Sequence, residues 1–295
     1  MESFSTEIAA FIQQNSSAPL LINPDAFPFS PYTFLYLSDK QTVIHCVNLE
    51  PQAKDGDFFK SLTLQFAESG IKIVHLWEDL WLNRKLVIQS RLLSILGQSA
   101  TIPARLCLSR RIDKATLDGF LNEHHLQIST SAKFKYGLYL PKRYFRVIDT
   151  EKNIFSRILL KNSDITEEIL VAVASFSTAR TFVREGVSYR SFELIRFANL
   201  KGFTVVGGFD KLLQAFIKEQ KPDDIMTYAD ADWSDGASYE KLGFERLQLL
   251  PPKAFELDEN LNRLWNPKVG NNSRKVWNAG SWKYLLKLKE PVNEQ

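Results

Sequence analysis

Apolar and polar residues follow one another along the chain with two periods, one typical of strands and one typical of helices. Alternation over Phe192–Ala198 predicts a strand, and the apolar residues of Phe209–Glu219 recur at the spacing of one helical face. Two glycines, Gly207 and Gly208, come directly before that helix. Because a helix N-terminus presents free backbone N–H groups, this turn is a candidate anion site. Close packing of the helix on a strand is the alternative.

The same patterns predict a small α/β domain over residues 1–100 and a larger domain over residues 101–295. In the first, the predicted elements are a helix at Phe4–Gln14, strands at Tyr32–Leu37, Gln41–Leu49 and Ile71–Trp77, and helices at Phe58–Ser69 and Trp81–Leu96. In the second, the predicted order is strand, helix, three strands, glycine turn, helix, strand, helix, strand. Ser177–Tyr189, which carries arginines, is predicted to be a loop, and the C-terminal region a pair of strands bent around Gly280.

Composition adds little to this picture. The chain has 295 residues, of which 44% are hydrophobic and 24% charged, as in ordinary globular proteins. A formal net charge of +3 permits DNA binding through a local patch without indicating it. Cys46 and Cys107 form no CxxC pair and have no ligand spacing with the histidines, so no metal is expected. With no signal pattern and no membrane-length apolar run, a cytoplasmic protein without a membrane partner is expected. The oligomeric state stays open.

A resemblance to a known family enters at the run from Ser238 to Glu245, SYEKLGFE. This run resembles the late helix and turn of the GNAT acyltransferase superfamily, and Val206–Leu213 lies where that superfamily keeps its pyrophosphate-binding loop. The resemblance implies acetyl-CoA or another acyl-CoA as cofactor. It also implies that Tyr239 is a general acid and that the cofactor is bound by Val206, Gly207, Gly208 and Lys211. The chain departs from the pattern at Phe209, where the superfamily usually has Gly or Ala.

Over roughly Gly70–Glu245 the chain also resembles Hef-like or very-short-patch-repair-like homing endonucleases of phages and mobile elements. The resemblance lies in Gly70–Trp81, Glu193–Phe197 and Tyr228–Gly236. It implies DNA as a possible partner and a restriction-endonuclease-like N-terminal domain. The strand Val43–Glu50 lacks the acidic residues that would hold Mg²⁺, so this domain is expected to be degenerate.

Several residues are candidates for substrate binding. His125 and Gln127 belong to a run that resembles the endonuclease motif, although a histidine at a helix C-terminus also complements the helix dipole. Asp230, Asp232 and Trp233 crowd one short stretch that could bind a cation, an amine or a base edge. The alternative is turn chemistry, in which Asp side chains cap backbone N–H groups and Trp233 covers the core. The set of candidate substrate-binding residues is completed by Arg196.

Two main hypotheses follow, and the first is favoured. It is a GNAT-like N-acyltransferase that acts on an amine, with DNA or a nucleobase as a candidate acceptor, joined to an inactive nuclease-like domain. Glu193, on the strand entering the glycine turn, is its candidate base and Tyr239 its candidate acid. The second is a non-catalytic DNA-binding relic of a mobile element, which Phe209 and the missing metal ligands favour. A third, weaker hypothesis is an active Mg²⁺-dependent endonuclease.

Overall fold

The computed structural model describes residues 3–49, 54–127, 130–148, 155, 167–184, 186–264 and 274–289. They form a mixed α/β structure with parallel and antiparallel strands, which confirms the predicted fold class. The chain divides into two compact units, each assembled from separate segments. The first unit comprises Met1–Ile88, Ala229–Ser238 and Arg246–Lys283, and the second comprises Gln89–Tyr228, Tyr239–Glu245 and Tyr284–Gln295. The two predicted domains are instead continuous in sequence.

Helices begin where a side chain or a turn can satisfy their first N–H groups. Ser3, Asp55 and Asp113 each accept a hydrogen bond from the backbone N–H three residues later, as N-cap residues do. The α-helices of the described residues are α1 (Phe4–Gln14), α2 (Gly56–Glu68), α3 (Glu78–Ile95), α4 (Lys114–His124), α5 (Gly208–Gln220) and α6 (Ala237–Glu240). Short 3₁₀ segments occupy Ser38–Lys40, Ala104–Leu106 and Lys142–Val147.

Strands follow the stretches rich in β-branched and aromatic residues. In chain order they are β1 (Leu20–Ile22), β2 (Thr33–Leu37), β3 (Thr42–Val47), β4 (Lys72–Trp77), β5 (Ala100–Pro103), β6 (Leu108–Arg111), β7 (Phe134–Pro141), β8 (Glu168–Phe176), β9 (Arg180–Arg184), β10 (Val187–Asn199), β11 (Phe203–Val206), β12 (Asp224–Asp230), β13 (Glu245–Leu250), β14 (Ala254–Leu257), β15 (Arg263–Leu264), β16 (Lys275–Trp277) and β17 (Ser281–Lys287).

The first unit is built on a four-stranded sheet of order β1-β2-β3-β4, in which only β3 and β4 run parallel. Every residue of β3 is buried, because both faces of this strand are covered. One core cluster of the unit gathers Phe59 and Trp77 with Phe255 and Val276. A small antiparallel sheet of order β15-β14-β16 supplies the last two of these.

Two histidines lie side by side in this core, and their hydrogen bonds determine both tautomers. His45 and His75 are directly opposite in the β3–β4 register, are fully buried, and bring their Nδ1 atoms to 2.9 Å. Thr63 donates its one hydroxyl hydrogen to the Phe59 carbonyl, so its Oγ1 accepts from His75 Nε2 at 3.0 Å. His75 Nδ1 must then accept from His45 Nδ1, and His45 Nε2 accepts from the Ser30 hydroxyl at 2.8 Å.

The second unit is built around the long strand β10. Antiparallel pairing joins β6 to β7, β7 to β8, and β8 to β10, and β12 runs parallel to β10 on its other side. These strands belong to an eight-stranded sheet of order β13-β17-β12-β10-β8-β7-β6, with β9 paired to β10. Helix α5 packs on β7 and β8. Its Phe216 stacks on Phe176 with ring centroids 3.8 Å apart. A separate parallel pair is formed by β5 and β11.

Two predicted features near β10 and the C-terminus are wrong. The predicted loop Ser177–Tyr189 contains β9, which pairs with β10 in a hairpin whose turn includes Gly186 at φ 75°. Thr181, Phe182 and Val183 favour a strand, and the flanking arginines masked that signal. The predicted pair of strands around Gly280 also fails, because β16 and β17 belong to different sheets.

The histidine pair predicts an acid-sensitive stability. Burial lowers the pKa of His75 to about 3 and that of His45 well below its usual range, and His75 lowers the latter further. Below the ordinary value of 6.5 the unfolded chain therefore binds protons that the folded chain excludes, so stability falls as the pH falls. We expect each histidine to contribute about 1.4 kcal/mol per pH unit in this window.

The measurement is the free energy of unfolding in urea between pH 7 and pH 5, for the natural chain and for His45→Gln. Burial raises the pKa of Asp232, an effect of opposite sign that stabilises the folded state as the pH falls. The difference between the two chains removes that contribution. Equal pH slopes for the natural chain and the variant would contradict the prediction.

Candidate functional site

The candidate site in the second unit begins where two parallel strands stop pairing. β10 and β12 are paired at Ser191–Leu194 and Asp224–Thr227, although both strands continue beyond these positions. On its other edge, β10 shifts register against β8 between Leu194 and Arg196, as at a β-bulge. Bulges bend a strand and are frequent beside active sites. We call the place where β10 and β12 part the fork.

Two side chains take up the carbonyl groups at the fork. Thr227 Oγ1 donates to the Leu194 carbonyl at 3.0 Å, and the Arg196 guanidinium donates to the Ile195 carbonyl at 2.8 Å. Thr227 is 1% exposed, while Arg196 is half-buried. The strand ladder is thus replaced by side-chain donors at the point where the strands separate.

The predicted glycine turn leads directly into α5. Gly207 is the N-cap residue with φ 74° in the left-handed region, which glycine adopts without the cost that a side chain would bring. A Cβ at Gly208 would lie 2.8 Å from Val205 Cγ1, so glycine here allows close packing of the turn. Val206 is 57% exposed beside it. The turn therefore combines both roles considered for it, an exposed helix start and a tightly packed one.

Lys211 does not extend its ammonium group toward that helix start alone. Its Nζ donates to the carbonyls of Ala104 at 3.0 Å and Cys107 at 2.6 Å. These contacts hold the 3₁₀ turn after β5 against α5, a structural role that the sequence did not indicate. Cofactor binding by Lys211 stays a prediction.

Tyr239 lies among aromatic rings and is hydrogen-bonded at its phenol. Its ring is 5.4 Å from Phe209, 5.6 Å from Phe244 and 5.4 Å from Tyr284, measured between centroids. The phenol is hydrogen-bonded to the side chain of Thr227. Burial raises the pKa of Tyr239, while Thr227 and the charges of Arg196 and Arg91 act in the opposite direction. The phenol therefore keeps its proton at neutral pH.

Phe209 explains how the chain accommodates its departure from the GNAT pattern. The ring lies against Phe197 at 5.0 Å as well as against Tyr239, and the residue is 9% exposed. Its bulk is directed into this aromatic cluster of the second unit. The cluster links the first turn of α5 to β10.

Glu193 is half-buried on β10, one residue before the last paired position. Its backbone N–H donates to Ser177 Oγ at 2.9 Å. Its carboxylate is close enough to Tyr228 to raise the pKa of that phenol, together with burial, which has the larger effect. Glu193, Arg196 and Tyr239 thus belong to the same unit and surround the fork.

His125 and Gln127 form a local turn at the end of α4. The Gln127 backbone N–H donates to His125 Nδ1 at 3.1 Å, and His125 is the C-cap residue of the helix. This arrangement fits the structural alternative. A role in substrate binding stays a prediction for both residues.

Asp230, Asp232 and Trp233 belong to the first unit, and their contacts are those of a packed turn. Asp232 is 1% exposed and accepts a hydrogen bond from the Ala279 N–H at 2.7 Å. Asp230 accepts from the Asp232 N–H at 3.1 Å, and Trp233 is 6% exposed. Burial and the nearby Asp230 raise the pKa of Asp232. These contacts favour the turn alternative, and substrate binding by the three residues stays a prediction.

A buried ion pair lies in the same unit. Arg263 binds Asp79 through Nε and a terminal nitrogen, at 2.6 and 3.1 Å, and Asp79 is 1% exposed. In the part of the chain that the structure describes, no group of three or more His, Cys, Asp or Glu is arranged to hold a metal ion. None of the described helices is long and apolar enough to cross a membrane.

Sequence reasoning missed two residues of the second-unit site. Thr227 is an ordinary strand residue in sequence, and only its position at the fork gives it a role. Arg91 lies in α3, and nothing in its local pattern places its charge near the Tyr239 phenol. Neither residue carries a local signal that could have identified it.

The chain was compared with known proteins. No family model and no curated protein matches it. Among solved structures, the NatC complex bound to Gag peptide and CoA is similar over 62% of this chain and 99% of that one, with 13% identity and a TM-score of 0.34. The ribosomal-protein-S18-alanine N-acetyltransferase from Escherichia coli is similar over 64% and 98%, with 11% identity and a TM-score of 0.34.

Arabidopsis thaliana NAA60 in complex with a bisubstrate analogue is similar over 62% of this chain and 99% of that one, with 10% identity and a TM-score of 0.36. Similarities at these identities and TM-scores establish neither a family nor an activity. The comparisons give no support to the resemblance to homing endonucleases.

The contacts of Lys211 predict that its replacement lowers stability. Lys211→Met keeps the aliphatic stem but leaves the Ala104 and Cys107 carbonyls without this donor, and we expect a loss of about 1–3 kcal/mol in the free energy of unfolding. Urea denaturation measures it. The matched control is Lys218→Met, an exposed lysine of the same helix, for which we expect a change within about 0.5 kcal/mol. Equal effects of the two substitutions would contradict the structural role.

Proposed function

We propose that the chain is an acyl-CoA-dependent N-acyltransferase whose reaction takes place at the fork in the second unit. The observation that carries the proposal is the fork itself, where parallel strands part beside Tyr239. Strands that stop pairing leave room for an extended ligand with amide groups, which can hydrogen-bond to strand backbone. The order of elements from β6 to β12 supports the same proposal, because it agrees with the order expected from the GNAT resemblance.

The residues of the second unit fit an acyl-CoA, with acetyl-CoA the simplest. The glycine turn at Gly207 and Gly208 and the start of α5 form the part that would hold the pyrophosphate, since a helix N-terminus favours negative charge. Val206 is exposed beside this turn. When bound, the cofactor supplies a thioester carbonyl for attack and a thiolate as leaving group. No metal enters the proposed chemistry.

Two side chains have the properties that proton transfer requires. The Glu193 carboxylate would accept the proton that the acceptor amine loses on attack. Tyr239 holds its proton at Oη, because burial raises its pKa, and it would donate that proton to the departing sulfur. Arg196 lies beside the phenol and would offset the negative charge left there.

The acceptor is an amine whose carrier the proposal leaves open. DNA or a nucleobase as carrier, and descent of the N-terminal region from a nuclease, stay predictions made from sequence. Non-catalytic DNA binding and Mg²⁺-dependent cleavage stay the alternatives to be tested if the cofactor does not bind.

The first test of the proposal is acetyl-CoA binding by calorimetry. We expect micromolar binding by the natural chain and by Tyr239→Phe, and loss of binding in Gly207→Asp, because a carboxylate at the turn repels the pyrophosphate. Absence of binding at millimolar acetyl-CoA would contradict the proposal.

A matched control separates this repulsion from backbone strain. Gly97 has φ 75°, almost the same as the 74° of Gly207, and a Cβ at Gly97 would meet no atom within 4 Å. Gly97→Asp therefore introduces the same charge and the same strain away from the turn. We expect it to retain acetyl-CoA binding, and loss of binding in both variants would indicate a general effect on folding.

Substitution of the candidate base predicts a loss of turnover without a loss of binding. For Glu193→Gln we expect the release of CoA thiol from acetyl-CoA, measured with a panel of primary amines, to fall about 10²- to 10⁴-fold. Calorimetric binding of acetyl-CoA should not change. Glu245→Gln, which removes an exposed carboxylate paired with Lys287, serves as the control. Turnover unaffected by Glu193→Gln would exclude this residue as the base.

A further inference from the structure

Thr227 connects the end of the strand pairing to the candidate general acid. It is directly opposite Leu194, at the last paired position of β10 and β12, and is 1% exposed. Its Oγ1 donates to the Leu194 carbonyl at 3.0 Å. The hydroxyl group is thus held in one orientation by the backbone of the neighbouring strand.

This orientation determines the direction of the hydrogen bond to Tyr239. A threonine hydroxyl carries one hydrogen and two lone pairs. Because the hydrogen of Thr227 is directed at Leu194, Oγ1 can only accept from the Tyr239 phenol in this state. The phenol proton is therefore directed at Thr227, and the aromatic rings of Phe209 and Phe244 on either side limit the movement of the tyrosine ring.

We infer that Thr227 is a positioning residue, which holds the Tyr239 phenol at the fork and orients its proton. The inference rests on the proposed function for its catalytic consequence, but the positioning itself does not. In the reaction, the Tyr239 O–H bond breaks, its electron pair stays on oxygen, and the proton forms an S–H bond with the leaving thiolate. The Thr227 hydroxyl can then turn from the Leu194 carbonyl and donate to the phenolate, which later regains a proton from water.

The surrounding charges support the same role. Arg196 on β10 and Arg91 on α3 both lower the pKa of the phenol, as Thr227 does, against the opposing effect of burial. A positive charge and a hydroxyl donor together stabilise a phenolate that would otherwise form with difficulty in a buried place. Thr227 is the uncharged member of this set and the one in hydrogen-bond contact with the phenol.

Two substitutions separate the hydroxyl group from the shape of the side chain. Thr227→Val keeps the volume and removes the hydroxyl, whereas Thr227→Ser keeps the hydroxyl. With tyrosine labelled by ¹³C at the ring carbon that bears oxygen, the signal absent from Tyr239→Phe is the signal of Tyr239. We expect Thr227→Val to move that signal and Thr227→Ser to leave it in place. An unmoved signal in Thr227→Val would overturn the inference.

Turnover of acetyl-CoA gives the second measurement. For Thr227→Val we expect kcat to fall about tenfold or more, the effect of one lost hydrogen bond in the transition state, with KM for acetyl-CoA unchanged. Thr227→Ser should restore kcat. An equal loss in both variants, or a loss confined to KM, would also overturn the inference.

The two measurements distinguish failure of the inference from failure of the proposed function. If the natural chain does not bind acetyl-CoA while Thr227→Val still moves the Tyr239 signal, the proposed function is wrong and the positioning by Thr227 stands. If acetyl-CoA binds and is turned over while the signal and kcat are both unchanged in Thr227→Val, the function stands and the positioning is wrong.

Discussion

The end of hydrogen-bonded pairing between β10 and β12 is the constraint on which the candidate site depends. Backbone carbonyls that lose their ladder partners in a protein interior need other donors. At the fork the Thr227 hydroxyl and the Arg196 guanidinium take that place, on Leu194 and Ile195. The identities of two side chains therefore follow from where a sheet stops pairing, and the phenol of Tyr239 is placed by one of them.

Buried polar groups in both units follow the same logic of satisfied hydrogen bonds. In the first unit each ring nitrogen of His45 and His75 has a partner, and Asp79 is bound by Arg263 at two points. The exceptions among the described residues include Ser175 Oγ, on β8 directly opposite Arg196. An unsatisfied hydroxyl in such a place costs stability, and sites that serve a function often contain such groups.

Periodic elements were predictable from sequence to within a few residues. Phe4–Gln14 has the same bounds in the structure as in the prediction, and α4 and β8 differ from their predicted bounds by a residue at one or both ends. Local patterns suffice here because each element buries one face or one run of apolar residues. The β9–β10 hairpin was missed because its charged residues resemble those of a solvated loop, while its pairing is with a strand that is itself recognisable.

The candidate site was predictable only in part. Gly207, Gly208, Glu193 and Tyr239 stand out in sequence, because a double glycine before a helix and a family-like tyrosine run are local signals. The Lys211 contacts were not predictable, because the carbonyls of Ala104 and Cys107 are more than 100 residues away in the chain. Asp230, Asp232 and Trp233 looked like a polar pocket, and burial shows contacts typical of a turn instead.

The sequence by itself determined which segments are helices and strands and where the glycine turn lies, since those properties depend on residues a few positions apart. Only the tertiary structure decided that the parallel strands part at Leu194 and Thr227, and that Thr227 meets the phenol of Tyr239. The physical reason is that strand pairing and side-chain hydrogen bonds join segments distant in sequence. Their geometry depends on the packing of the whole unit, which no local pattern records.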